Sequence, residues 1–354
     1  MTEAGGCPKE LGEKIAMSRR VPTLCWLAFG LGVMGGMLGR AAAQEAVVEP
    51  CPLPRGDAVP TPTLGGMQFW ADELFFHDWR IQRNVVTGHC RLLDGSAFRH
   101  AWGTYEECLA ALDEVKRRQN LPPMQGKAVV LLHGLGDSRL AMAGLAKYLK
   151  EQGGYQVFNV SYPSTRGCMA DYARSLTNIL QNLSGIEEIN FVGHSMGNIV
   201  IRRYLGEQTD PRIKRFVMLG PPNRGSSFAT ALADNPVFTA VLGKPGQELG
   251  REWAWLEGRL ATPSCEFGII AGGLGNSHGF NPFLSGDDDG IVSVESTRLD
   301  GAKDFVMVPV LHGLLMHDRR VQAYTLRFLR NGKFQENAEG RMQNAECRMQ
   351  NDEG

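Results

Sequence analysis

From Gln125 onward, short continuous apolar runs alternate with longer stretches whose apolar residues recur every three or four positions. KAVVLL, YQVFNVSY, EINFVG, IKRFVMLG, CEFGIIAG and DFVMVPV are runs of the first kind. Their lack of polar alternation predicts strands buried on both faces. RLAMAGLAKYLKEQ, MADYARSLTNILQNL, NIVIRRYLGEQ and LLMHDRRVQAYTLRFLR are of the second kind and predict helices. Strands alternating with helices over residues 125–331 predict an α/β domain, a mainly parallel sheet with helices on both faces.

Upstream the pattern is different. Within residues 67–124, WRIQRNVV and HCRLL predict two strands around a Thr87-Gly88 turn. TYEECLAALDEVKRRQN predicts a helix with Leu109, Leu112 and Val115 at helical spacing. Thr104 with Glu107 three residues on has the form of a capping box. This small strand–strand–helix extension has too few apolar residues to stand alone and is expected to pack on the α/β domain. Residues 44–66 are rich in proline and glycine and predict an extended linker. Residues 332–354 are polar and repeat Arg341-Met342-Gln343-Asn344 as Arg348-Met349-Gln350-Asn351, which predicts a disordered low-complexity tail.

The first 43 residues have the order of a secretory signal peptide. Basic Arg19-Arg20 precedes an apolar run from Val21 to Leu38, and Ala41-Ala42-Ala43 comes after it, with Met17 a candidate start. The expectation is an exported chain, periplasmic or extracellular; the alternative is an uncleaved membrane anchor. An exported chain permits disulfides among Cys51, Cys90, Cys108, Cys168, Cys265 and Cys347, with the pairing open. No C-x-x-C or His/Cys cluster suggests zinc. The net charge of −1, from 37 basic and 38 acidic residues without a one-sign block, argues against a nucleic-acid partner.

Candidate chemistry enters with the pattern G-x-S-x-G, which occurs twice: Gly193-His194-Ser195-Met196-Gly197 and Gly275-Asn276-Ser277-His278-Gly279. Ser195 follows an apolar strand and precedes a periodic helix, the context of a strained strand–turn–helix elbow that exposes a nucleophile. Ser277 lies in a glycine-rich loop before Asn281-Pro282, with no helix after it. A serine nucleophile needs a base, and the base an orienting acid. His312 sits where a strand ends and a helix begins; His317 is the alternative, one turn into that helix. Asp289, followed by Gly290-Ile291-Val292, suits an inward-turned acid, with Asp288 the alternative and a solvated turn or weak calcium site for Asp287–Asp289 the bland reading. Backbone N–H groups of Met196 and Leu135, the latter in His133-Gly134-Leu135-Gly136-Asp137, are placed to form an oxyanion hole. His133 reads as structural, bonding within its loop.

At these residues the chain resembles the α/β-hydrolase lipases and esterases, in particular bacterial triacylglycerol lipases and the hydrolase domain of inositol-deacylase proteins. LLHGLGDS (131–138), FVGHSMGN (191–198), LGPPNRGSS (219–227), DDGIVSVES (288–296) and LHGLL (311–315) carry the resemblance, in order across residues 127–330. It implies an α/β-hydrolase fold with a small cap and carboxylic-ester hydrolysis through an acyl-enzyme, with Ser195, Asp289 and His312 as triad. No cofactor is implied, and the calcium-site residues of some such lipases find no match here. The substrate would be a small-molecule or lipid ester, with peripheral contact with a lipid or membrane surface as a further partner. Thioester or amide hydrolysis and acyl transfer are alternatives on the same fold, as is an inactive fold used for binding. Between Asn223 and Cys265, Phe228, Val237, Phe238, Val241, Leu242, Trp253, Trp255 and Leu256 suggest an apolar acyl pocket, or helices packing on the core.

Overall fold

The computed structural model of the chain describes residues 61–62 and 67–335. The segment expected to be a signal peptide, most of the 44–66 stretch, Cys51, Cys347 and the repeated tail lie outside the described residues.

The first layer is antiparallel. Strands β1 (Thr61–Pro62), β2 (Trp70–Phe76), β3 (Trp79–Asn84), β4 (Cys90–Leu93) and β5 (Phe98–Gly103) are ordered β1-β5-β4-β3-β2. Helix α1 (Tyr105–Arg118) covers one face, where Ile81, Cys90 and Leu92 meet Cys108 and Leu112. Its N-terminus carries the expected capping box: Thr104 accepts from Glu107 N, and Glu107 accepts from Thr104 N at 2.7 Å. The extension is larger than the strand–strand–helix read from the sequence. The sequence pattern does not predict β2 and β5, because WADELFF holds two acids mid-strand and FRHAWG has no apolar alternation. The stretch read as linker also gives up Thr61 and Pro62 to pair with Arg99 and Phe98.

Those two acids help to bind the extension to the rest. Asp72 is fully buried, and accepts from Ser161 N at 2.6 Å and Gln82 Nε2 at 2.8 Å. Burial raises its pKa above the usual carboxylate value, against the lowering effect of Arg80 and of the Ser161 N–H. Glu73 accepts from Asn178 at 2.8 Å. Phe75 packs on Phe158 with ring centroids 5.3 Å apart.

The second layer is a six-stranded parallel sheet. In chain order its elements are β6 (Gly126–Leu132), α2 (Ala143–Gly153), β7 (Gln156–Val160), α3 (Met169–Gln181), β8 (Ile186–His194), α4 (Met196–Glu207) and β9 (Ile213–Leu219). Helices α5 (Ser227–Leu232), α6 (Pro236–Leu249) and α7 (Trp253–Glu257) then precede β10 (Glu266–Gly272), α8 (Val294–Thr297), β11 (Asp304–Val308) and α9 (Arg319–Asn331). The strand order is β11-β10-β9-β8-β6-β7, and every pairing is parallel. The apolar runs explain this layering. Along β6, Ala128, Val130 and Leu132 enter one core with α3 and α4, while Val129 and Leu131 enter another with α2 and α9.

The last helical stretch is broken, where the sequence predicted one helix. His312–His317 is a short 3-10 turn, and Asp318 then accepts from Arg320 N and Val321 N to cap α9. Between β9 and β10, α6 breaks at Gly243, whose φ is 61° and whose Cβ, were there one, would lie 2.4 Å from Thr165 O.

Candidate active site

Strand β8 delivers Ser195 to the carboxyl-terminal rim of the parallel sheet. The backbone turns there with φ 53° and ψ −125°, a left-handed conformation that a side-chain-bearing residue adopts only under constraint. The constraint is visible. Ser195 N donates to Leu219 O at 2.9 Å, and Asn198 Nδ2 reaches back to Ser195 O at 3.0 Å and Leu219 O at 3.2 Å. The glycine after the turn is sterically required: a Cβ on Gly197 would lie 2.4 Å from Leu132 O and 2.7 Å from His133 O. Ser195 itself stays half-exposed among buried neighbours. Helix α4 begins at the next residue, so Met196 N has no intrahelical acceptor.

The three aspartates of the 287–289 cluster do different things. Asp287 accepts from Leu274 N and Gly275 N and ties down the loop after β10. Asp288 is fully buried; one oxygen accepts from Gly290 N at 2.6 Å and Asn281 N at 3.0 Å, the other has no partner, and burial raises its pKa. Asp289 alone faces a histidine. Its Oδ2 accepts from His312 Nδ1 at 2.7 Å, and its Oδ1 from Ile291 N and Val292 N at 3.1 and 2.8 Å. A further bond, His312 N to Asp289 O at 2.8 Å, fixes the two segments against each other.

That pairing decides the tautomer. With Nδ1 donating to the carboxylate, Nε2 of His312 carries a lone pair, and this buried atom has no hydrogen-bond partner. The ring sits against Gly220, whose Cβ would be 3.1 Å from Cε1. Gly220 directly follows Leu219, the residue that holds Ser195 N. Ser195 and His312 are thus gathered at the same strand end. His317 is exposed at the far end of the 3-10 turn. Ser277 is exposed in a loop, where its Oγ meets only the exposed His278 ring at 3.1 Å.

The loop after β6 closes the site from the other side. A Cβ on Gly134 would lie 3.0 Å from Ser195 Cβ and 3.1 Å from His194 Nδ1. Leu135, the next residue, is half-buried. His133 bonds within this loop, as its sequence context suggested: its Nδ1 donates to Gly134 O at 2.9 Å, and its ring stacks on Tyr162 at 4.2 Å. Burial lowers its pKa to about 4, so it is neutral.

Four residues of this assembly were not singled out in the sequence. His194 is buried, and its Nε2 donates to His312 O at 3.0 Å. Burial, then the neighbouring His312, hold its pKa well below the usual histidine value. Its signal was its place inside the motif, at the buried end of a strand. Asn198 braces the turn, Tyr162 OH donates to His133 O, and Gln68 Nε2 donates to Asp137 O at 2.7 Å. Tyr162 and Gln68 act on residues 29 and 69 positions away, so local pattern could not reveal them. Among the described residues no three of His, Cys, Asp and Glu are grouped as metal ligands.

Residues 127–243 match the family model described as alpha/beta hydrolase fold. No curated protein matches the sequence. Among solved structures, the lin2722 gene product of Listeria innocua is similar over 60% of this chain and 96% of its own, with 16% identity and a TM-score of 0.43. Bacillus licheniformis lipase BlEst2 in mature form is similar over 55% of this chain and 88% of its own, with 21% identity and a TM-score of 0.41. The metagenomic carboxyl esterase MGS0156 is similar over 53% and 65%, with 17% identity and a TM-score of 0.40. The chain has the α/β-hydrolase fold, with a six-stranded parallel sheet flanked by helices.

Proposed function

We propose that the protein is a serine hydrolase of carboxylic esters, with Ser195 as nucleophile, His312 as base and Asp289 as the acid that orients it. The observation that carries this reading is the buried His312–Asp289 pair at 2.7 Å with Nε2 left unpaired, beside the strand end that holds Ser195 in its strained turn. Serine attacks poorly as a neutral hydroxyl, and a base that accepts its proton removes that barrier. In the reaction, Ser195 Oγ bonds to the ester carbonyl carbon as its proton passes to His312 Nε2. Asp289 stabilises the imidazolium without taking the proton. The backbone N–H groups of Leu135 and Met196 receive the oxyanion. Collapse breaks the bond to the alcohol, which leaves with the proton from His312. Water then repeats the sequence on the acyl-serine, releasing the acid and restoring Ser195.

A fluorophosphonate probe and a series of p-nitrophenyl esters test the reading. The wild type should label at Ser195 and hydrolyse the esters. Ser195→Ala should lose both, and Ser277→Ala should retain both. Turnover of thioesters or amides in preference to esters would move the protein to another acyl chemistry on the same fold. Labelling at Ser277 would refute the assignment of the nucleophile.

A further inference from the structure

The face of the antiparallel sheet turned away from α1 carries a chain of cations and aromatic rings that the hydrolytic site does not use. Arg91 lies over the Trp70 ring at 3.7 Å, His89 meets Trp70 edge-on at 5.1 Å and Trp102 at 5.2 Å, and Arg99 approaches Trp102 at 5.7 Å. Burial lowers the pKa of Arg91 to about 10, against the raising effect of Asp72, and Arg99 and Arg139 add smaller lowering effects from the same neighbourhood. Among the described residues of this face, the carboxylate of Asp72 is fully buried and occupied by Ser161 N and Gln82. Glu107 belongs to the α1 side and is taken up by the capping box. The exposed end of the face is therefore cationic.

It is also apolar, and it adjoins the mouth of the site. Val85 and Val86, at the tip of the β3–β4 hairpin, are 43% and 68% exposed, and Trp102 is 46% exposed. Val85 N bonds to Phe69 O, and the exposed Phe69 ring lies under the Arg166 guanidinium at 4.4 Å. Gln68, one residue earlier, donates to Asp137 O and accepts from Thr165 N at 3.2 Å. Asp137 belongs to the same loop as Leu135. The hairpin tip, the ladder and the loop beside Ser195 thus form one connected rim.

We infer that this end of the sheet docks the protein on an anionic lipid surface, with Val85, Val86, Phe69 and Trp102 entering the headgroup boundary and Arg99 and Arg166 facing acidic headgroups. Exposed aliphatic tips gain from hydrocarbon, tryptophan prefers the interfacial zone, and cations near an acidic leaflet add attraction that falls off within a Debye length. An acidic polysaccharide fits less well. Sugars stack on open ring faces, whereas one face of Trp70 is covered by Arg91, and the rings along the ladder meet at 84° and 89°. Among the described residues no helix is long and apolar enough to cross a membrane. The inference concerns binding alone and stands whether or not Ser195 is the nucleophile.

Vesicle flotation tests it with full-length chains that differ only at these side chains, so any contribution of the apolar segment 21–38 is common to all. Vesicles are neutral phosphatidylcholine, or the same lipid with one third phosphatidylglycerol. Wild type should partition more strongly to the acidic vesicles, and less so in high salt. Arg99→Gln with Arg166→Gln should weaken that partitioning by about fivefold per charge. Val86→Ser, at a hairpin tip outside the strand ladder, should weaken binding with an unchanged melting temperature. Equal binding by wild type and all variants would overturn the inference, as would equal binding to neutral and acidic vesicles. Binding to immobilised polygalacturonate with no partitioning to acidic vesicles at the same salt would overturn the lipid reading in favour of a polyanion.

Discussion

Asp288 and Asp289 are adjacent, buried to the same degree, and opposite in effect. Asp288 spends one oxygen on two loop amides, while Asp289 spends one on two amides and the other on His312. The sequence could not separate them, because adjacent side chains on an irregular loop follow no fixed period. The difference is testable. Asp289→Asn keeps an oxygen for Ile291 N and Val292 N but can no longer hold His312 in the tautomer with a free Nε2. It should lower kcat on p-nitrophenyl esters by roughly 10⁴-fold with little change in melting temperature. Asp288→Asn keeps an acceptor for Gly290 and Asn281 and should retain kcat within about tenfold. The reverse ranking would transfer the acid role to Asp288. For the base, His312→Ala should abolish turnover and probe labelling together, while the exposed His317→Ala should keep both.

At the scale of elements, legibility followed burial on both faces. The runs of β6, β8, β9 and β10 are dominated by apolar residues despite polar ones such as Asn190 of β8 and Arg215 of β9, and they appear as strands where the sequence placed them. β2 did not read as a strand because Asp72 and Glu73 lie within it, and their partners Ser161 and Asn178 are about ninety and one hundred residues away. The capping box of α1 was legible because its logic is local; Thr104→Ala should cost about 1 kcal/mol, read as a fall in melting temperature. The cap is the mixed case. Leu242 does approach the site: a Cβ on Gly136, next to Leu135, would lie 3.6 Å from Leu242 Cδ2. Trp255 instead stacks under Arg259 at 4.0 Å, and Trp253 packs against Gly225. The Phe238 side chain lies outside the described residues. We therefore expect kcat/KM to rise from acetate to medium-chain p-nitrophenyl esters by up to about 0.8 kcal/mol per methylene. Leu242→Ala should flatten that rise and Trp255→Ala should leave it intact. A fall from acetate onward in the wild type would remove the apolar acyl pocket.

The response of the whole molecule to acid follows from its buried imidazoles. His133 and His194 are neutral in the folded protein because burial penalises their charged forms; His133 titrates only at about 4. In the unfolded chain each regains a pKa of about 6.5. Between those values the unfolded state binds more protons than the folded one, so stability rises with pH. The stabilising contribution is complete above about pH 6.5 and is lost as pH falls toward 4. Asp72 and Asp288 act in the opposite sense above their unfolded pKa, since burial raises both. A single variant separates the two contributions. His133→Asn can still donate to Gly134 O but cannot titrate. Urea unfolding of the wild type at pH 6.5 and pH 5 should show a loss of about 1.5 kcal/mol attributable to His133, the slope rising toward roughly 1.4 kcal/mol per pH unit below pH 6. In His133→Asn that part of the slope should vanish, although its stability at pH 7 should be lower through the lost stacking on Tyr162. Parallel pH profiles for the two proteins would mean that His133 reaches solvent and can be protonated without opening the loop beside Ser195.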